Sequence, residues 1–249
     1  MNISVIKTNV IQPSVQQLTD VLDEHILKLE ENSVVAISSK IVSLCEGSVV
    51  RTNSATKDQL VKQNAQYYLN RSASKYNAML TITHNTLIGS AGIDESNCAD
   101  HYVLWPKNPL NDAKLIASYL RTTHNIQNVG VLIVDSISRP LRIGIIGTSI
   151  AHWGFNELNS YIGAKDIFGK TMHTSSVNVA ECLATSAVFA MGEGAEQTPI
   201  AIMTEIENIT FNSNLGNSCY IAPPTTVQDD VYAPMLLSVK WRKNDSKMI

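Results

Sequence analysis

Residues 129–135, VGVLIVD, constrain the fold more than any other stretch of the chain. Six consecutive apolar or small residues run up to a carboxylate at Asp135. A strand with one wet face alternates apolar and polar residues, so a strand this uniformly apolar is buried on both faces. The chain must then cover a sheet from two sides. Its 249 residues, 44% of them hydrophobic, are enough for a core of that size.

The other elements follow from local pattern. Val15, Leu18, Leu22, Ile26 and Leu29 recur at helical spacing, which predicts a helix from Ser14 to Glu30. Ser14 is placed to cap it, with Gln17 completing a capping box. SVVAISSKIV (33–42) reads as a strand, and CEGSVV as a turn and a second short strand. A surface helix is expected over residues 56–70, helped by Lys57, Asp58, Gln59 and Lys62. AMLTIT and TLIGSA flank His84-Asn85, as in a hairpin, and HYVLWP is a short strand ended by Pro106. Asp112 to His124 reads as a helix with Leu115, Ile116, Tyr119 and Leu120 inside. An Ala-rich helix over 177–191 stops at Gly192, and PIAIMTEI (199–206) is a late strand. Regular βαβ alternation, internal repeats and low-complexity linkers are all missing. The expectation is an α+β fold with mixed or antiparallel sheets and packed helices, not a doubly wound sheet. Residues 1–249 read as a single unit with room for two lobes, whose boundary is not marked.

Charge and cysteine usage narrow the function classes. Charged residues make up 16%, the net charge is −3, and no Lys/Arg cluster occurs, which argues against a nucleic-acid partner. Cys45, Cys98, Cys182 and Cys219 are scattered without a CxxC pair, so buried free thiols are expected rather than a zinc knuckle or a disulfide framework. No apolar run approaches membrane length and the N-terminus has no apolar targeting core, so a cytoplasmic location is expected.

Three acidic stretches place carboxylates where regular structure stops. They are SAGIDESN (90–97) with Asp94 and Asn97, IVDSISRPLRIG with Asp135, Ser136, Arg139 and Arg142, and MGEGAEQTP with Glu193 between two glycines. Hard cations such as magnesium and manganese take oxygen ligands, and Asp94, Asp135, Ser136 and Glu193 form such a set if the fold unites them. Glycines beside Glu193 allow backbone N–H groups to approach phosphates, and arginines offer planar donors to phosphate or carboxylate. Each stretch also has a plain structural explanation: a solvated turn, a strand-end cap, a helix C-cap. Walker A and GxGxxG motifs are absent, and no Cys or Ser is paired with His by any sequence signature. His152, beside Trp153, reads as a packed histidine.

SSKIVSLCEG, SAGIDESN, YVLWPKNP, VGVLIVDSISRPLRIG, YIGAKDIFGK, MGEGAEQTPIAI and DDVYAPMLLSVKW occur in an order and spacing that resembles one family. It is the γ-glutamyl ligases that add glutamate to the deazaflavin coenzyme factor 420, closest to a branch assigned to folate metabolism. The resemblance implies the fold of those ligases and a homodimer with its site near the subunit interface. It also implies GTP as nucleotide and two divalent cations. Carried over by position, Asp94, Asp135, Ser136 and Glu193 would be metal ligands. Asn97, Ser38, Ser39 and the segment Met191, Gly192, Glu193, Gly194, Ala195, Glu196, Gln197 and Thr198 would contact the nucleotide. This chain departs from the family pattern at Leu44, where a nucleotide-contacting lysine is usual; Lys40 stands four residues earlier. Ser136 replaces a usual threonine and keeps the hydroxyl.

These readings predict a ligase that consumes GTP or ATP, with magnesium or manganese, to join L-glutamate to a folate-like or deazaflavin-like carboxylate through an acyl phosphate. Arg139 and Arg142 are its candidate catalytic arginines, and Lys40 a candidate nucleotide contact. Two alternatives stay open: a nucleotide- or cofactor-binding protein without ligase activity, motivated by Leu44, and a metal-dependent phosphohydrolase.

Overall fold

The computed structural model describes residues 1–212 and 226–243. In its first half the elements run β1 (Asn2–Ile6), α1 (Leu18–His25), β2 (Ser33–Ser38), α2 (Ser39–Glu46), β3 (Val49–Arg51), α3 (Lys57–Asn64), β4 (Tyr67–Tyr68), β5 (Leu80–Thr83), β6 (Thr86–Gly89) and β7 (His101–Val103). Then follow α4 (Pro109–His124), β8 (Val129–Ser138), β9 (Ile145–Trp153), β10 (Leu158–Ser160), β11 (Ser176–Asn178), α5 (Val179–Met191), β12 (Ile200–Thr204), α6 (Ala233–Ser238) and β13 (Arg242–Lys243).

The apolar strand becomes the inner strand of the largest sheet. That sheet has the order β1-β12-β2-β8-β9; β2 and β8 run parallel, and the other neighbours antiparallel. Side chains alternate across it, so each strand feeds two cores. Val35, Ile37, Val131 and Ile133 face α1 and α4 through Leu22, Ile26, Ile116 and Leu120. Val34, Ala36, Leu132 and Val134 face α5 through Leu183, Ala184 and Ala187. Burial of a continuous apolar strand on both faces is thus satisfied by helices on two sides. A second sheet, β13-β4-β5-β6, packs with α3 around Leu60, Val61, Met79 and Ile93. The architecture is α+β with a mixed sheet, as the pattern predicted.

Several boundaries differ from expectation. Residues 33–42 are not one strand: β2 ends at Ser38, whose hydroxyl caps α2 by accepting the Lys40 N–H at 3.3 Å. The run of β-branched residues hid the change, because Ile41, Val42 and Leu44 also fit helical burial. The first helix is shorter than Ser14–Glu30. Ser14 adopts φ 58° and donates its N–H to the Leu44 carbonyl, so the chain turns before α1 begins. Gln17 stands at the N-cap without a side-chain cap bond, and no capping box forms there. A capping box forms instead at Thr56 and Gln59 of α3, which stops at Asn64 because Tyr67-Tyr68 pairs with β5. The hairpin at His84-Asn85 is present, with both turn residues at positive φ. In α4, Ile116 and Leu120 are buried but Leu115 is exposed. Of the thiols, Cys98 is buried and Cys45 half-buried, but Cys182 lies exposed on α5; Cys219 falls outside the described residues. His152 is buried, with its ring 5.1 Å from that of Phe155.

Asp112, in the first turn of α4, has a carboxylate oxygen, Oδ2, buried without a hydrogen-bond partner. Burial pushes its pKa from 3.8 up to about 6, and the Glu46 carboxylate adds to the shift. An acid whose folded pKa lies above its unfolded value costs stability when ionised, so the penalty is full above pH 6 and fades as pH falls through 6 toward 3.8. Asp112→Asn should raise the melting temperature at pH 8, with the gain shrinking steadily toward pH 5. Thermal denaturation across that range checks the sign.

Candidate active site

Three strand ends of the main sheet meet at one edge. β2 ends at Ser38 opposite Val134 of β8, and the next residues of β8 are Asp135 and Ser136. β12 runs antiparallel to β2, so the segment leading into it, Gly192 to Pro199, arrives at the same edge. Ser38 N–H donates to the Pro199 carbonyl at 2.9 Å and Thr8 N–H to the Gln197 carbonyl at 2.9 Å, closing that edge. Gly192 ends α5 with φ 79°, a conformation natural to glycine, and turns Glu193 back toward β8.

The fourth contribution comes from outside the sheet. In SAGIDESN, Ser90, Ala91 and Gly92 all take left-handed backbone conformations, with φ 54°, 54° and 71°. Non-glycine residues in that region cost about 1–2 kcal/mol each. The turn is held by the Ala91 N–H donating to buried Thr81 Oγ1 at 3.0 Å and the Ser90 N–H donating to the Met79 carbonyl at 2.7 Å. Asp94 then pairs its backbone with Val103, and its Oδ1 accepts from Glu95 N–H (2.6 Å), Ser96 N–H (2.8 Å) and Ser96 Oγ (2.8 Å). The stretch is therefore an anchored turn that fixes one carboxylate. Asn97 donates its amide to the Gly194 carbonyl at 3.0 Å and ties this turn to the loop after α5.

These four segments enclose a cavity of about 370 Å³. Asp94, Asp135, Ser136 and Glu193 all line it, together with Ser38, Ser39, Lys40 and Asn97. Met191, Gly192, Ala195, Glu196, Gln197 and Thr198 complete the wall. Gly194 joins through its bond to Asn97 and through its N–H, which donates to Glu196 Oε2 at 2.7 Å. Arg139 and Arg142 lie past the end of β8 and do not line the cavity. Arg139 pairs with Glu181 at 2.9 Å, and Arg142 donates to the Leu141 carbonyl at 2.9 Å. Among the described residues, Lys40 does reach a carboxylate of the cavity: its Nζ lies 2.7 Å from Asp94 Oδ2. Leu44, one turn further along α2, is buried with Cys98 and Val103.

The carboxylates feel burial and each other. Burial pushes the Asp135 pKa up to about 6, and the charges of Asp94 and Glu193 add to the shift. Burial also raises Glu193, while the Ser136 hydroxyl bonded to it works the other way. Burial opposes ionisation of Asp94 as well, but the Lys40 ammonium and the Ser96 donors outweigh it and hold its pKa below the usual carboxylate value. Among the described residues, no three His, Cys, Asp or Glu side chains stand at metal-ligating spacing. The acidic set shares a cavity, with Asp94 held on Lys40 and Asp135 on Trp105.

Trp105 is the residue the sequence reading missed. Its indole N–H donates to Asp135 Oδ2 and fixes that carboxylate from the side. The ring packs against Gly92, where a Cβ would lie 2.3 Å from Trp105 Nε1. A tryptophan directly before Pro106, following a glycine-containing turn, is the available signal, but nothing local aims it at Asp135. Gly92→Ala should destabilise the protein by about 2–4 kcal/mol, combining left-handed strain with overpacking. In a Trp105→Leu background the packing part should vanish, leaving about 1–2 kcal/mol of backbone strain. Denaturant unfolding of the four proteins in that cycle measures both parts.

Comparisons with known proteins identify the family. The model of the F420-0:Gamma-glutamyl ligase family matches residues 5–205. The chain is 32% identical over 203 residues to the coenzyme F420:L-glutamate ligase of Methanococcus maripaludis, covering 76% of this chain and 81% of that protein. It is 28% identical over 208 residues to the protein of that name from Methanocaldococcus jannaschii, again covering 76% and 81%. With the Methanosarcina barkeri protein of that name it shares 28% identity over 193 residues, covering 71% and 75%. The match takes in all four segments that line the cavity, and the chain belongs to the F420-0:gamma-glutamyl ligase family.

Proposed function

We propose that this protein is a ligase that forms an amide between L-glutamate and a carboxylate-bearing acceptor, folate-like or deazaflavin-like, using GTP or ATP and a divalent cation. The observation that carries this reading is that Asp94, Asp135, Ser136 and Glu193, from three separate segments, face one cavity. The relatives' names, coenzyme F420:L-glutamate ligase, support glutamate as the donor and a cofactor as the acceptor.

The donor set fits magnesium or manganese, being three carboxylates and a hydroxyl with no sulfur or imidazole. The carboxyl pKa values that burial and neighbouring charge raise at Asp135 and Glu193 support the fit, because a cation relieves both. When bound, the cation supplies charge neutralisation at the phosphates. Asp94, Asp135, Ser136 and Glu193 would hold it, and Asn97 would contact the nucleotide. Residues of the Gly192–Thr198 loop and Ser38 and Ser39 at the start of α2 line the same cavity, and the two serine hydroxyls are donors for phosphate there. An acceptor carboxylate oxygen bonds to the γ-phosphorus as the bond to the nucleoside diphosphate breaks. The glutamate nitrogen then bonds the acyl carbon, phosphate departs with the C–O electrons, and the nitrogen gives up a proton. The chain contributes position and charge, the main sources of acceleration in phosphoryl transfer.

The test is mass spectrometry of folate-like and deazaflavin-like acceptors incubated with protein, nucleotide, cation and glutamate. A gain of one glutamate residue is expected; nucleotide turnover indifferent to glutamate would point instead to a phosphohydrolase. Asp135→Asn is nearly isosteric yet removes a charged ligand, and should cut ligation by on the order of a hundredfold or more without lowering the melting temperature, since burial raises this carboxyl as it does Asp112. A homodimer is part of the proposal. Leu141 and Ile143, between β8 and β9, and Ile167 and Phe168, between β10 and β11, are exposed apolar side chains suited to cover by a second copy. Light scattering should give twice the chain mass.

A further inference from the structure

Lys40 does more in the cavity than line it. Its Nζ lies 2.7 Å from Asp94 Oδ2, 3.1 Å from the Ser96 carbonyl and 3.4 Å from Ser96 Oγ. One ammonium thus ties the first turn of α2 to the turn that carries Asp94. The three donors on Asp94 Oδ1 come from its own turn, so Oδ2 is the oxygen aimed across the cavity. The same ammonium also acts against the burial that raises the Glu193 carboxyl, so its charge is felt by a second carboxylate of the cavity.

We propose that Lys40 is a built-in stand-in for the divalent cation: its ammonium occupies Asp94 Oδ2 until the cation displaces it, and the freed lysine then binds the nucleotide phosphates. This rests on the cation and nucleotide reading above. The geometry leaves little choice. A cation bonded to Oδ2 at about 2.1 Å would lie within roughly 5 Å of an ammonium 2.7 Å from the same oxygen, and positive charges that close repel strongly inside a partly buried site. The lysine stem has four rotatable carbons, so it can leave while the helix stays. Its α2 neighbour on the cavity side, Leu44, is buried and apolar, so Lys40 is the residue of this helix that can follow the phosphates. Before loading, Lys40 screens the acidic cluster and keeps the Asp94–Asn97 turn in place. After loading, the cation does both.

The proposal predicts effects of opposite sign from one substitution. Lys40→Met should bind Mn2+, titrated without nucleotide and followed by the electron paramagnetic resonance of free Mn2+, on the order of tenfold more tightly than the natural protein, because a charge-assisted contact no longer competes. In saturating Mg2+ the same variant should bind GTP on the order of tenfold more weakly by calorimetry. Lys40→Arg keeps the charge and should bind Mn2+ as the natural protein does; Lys40→Gln repeats the Met experiment should that variant fold poorly. A merely structural lysine would weaken both affinities together, which overturns the proposal. Unchanged or weaker Mn2+ binding by Lys40→Met, with the natural protein still binding, overturns it alone. Failure of all the proteins to bind Mn2+ overturns it together with the cation reading.

Discussion

The parallel pairing of β2 with β8 is the constraint on which everything else depends. Both strands are apolar on both faces, so they pair at the inside of the sheet and require helices above and below. Parallel strands end at the same edge, and here the polar residues begin at that edge: Ser38 at the end of β2 with Ser39 following, and Asp135 and Ser136 among the last residues of β8. β12, antiparallel to β2, must be entered from that edge, which brings Glu193 and the following loop to it. A ligand cleft outside the carboxyl ends of parallel strands is a general outcome in sheets with helices on both faces, and this mixed sheet arrives at it with one parallel pair.

The edge gathers negative charge that the sheet cannot neutralise. Asp94, Asp135 and Glu193 share one cavity, and two of the three have carboxyl pKa values raised by burial. Three contacts from outside the sheet hold this arrangement: Lys40 on Asp94, the Trp105 indole on Asp135, and Asn97 on the Gly194 carbonyl. Each joins a different pair of segments, so the cavity wall is cross-braced. Backbone strain at Ser90 and Ala91 persists because Thr81 and Met79 hold the turn from the second sheet. Strain of this kind concentrates where a side chain must be aimed.

Much of this was legible in the chain. The unbroken apolar run of β8, the alternating strands around His84-Asn85, the helical spacing before His124 and the Ala-rich run before Gly192 are local patterns, and local patterns follow from the geometry of one element. The carboxylates at element ends were visible for the same reason, and the family pattern added their grouping. Local pattern failed where two geometries fit equally. In SVVAISSKIV the β-branched run suited a strand throughout, yet Ser38 caps a helix; at Ser14 a plausible cap became a left-handed turn because its N–H is used by Leu44.

The amino-acid sequence by itself determined which elements form, which faces they bury and which carboxylates stand at their ends, since these depend on residues a few positions apart. Tertiary structure decided which side chains meet. Lys40 reaches Ser96 across 56 positions, Trp105 reaches Asp135 across 30, and Asn97 reaches Gly194 across 97. It also left Arg139 and Arg142, adjacent in sequence to the acidic strand end, outside the cavity, with Arg139 on Glu181 instead. Proximity along the chain does not set direction in space. An arginine just past the end of β8 has already turned with the chain away from the cavity, while a lysine in the capped first turn of α2 is held against the acidic cluster.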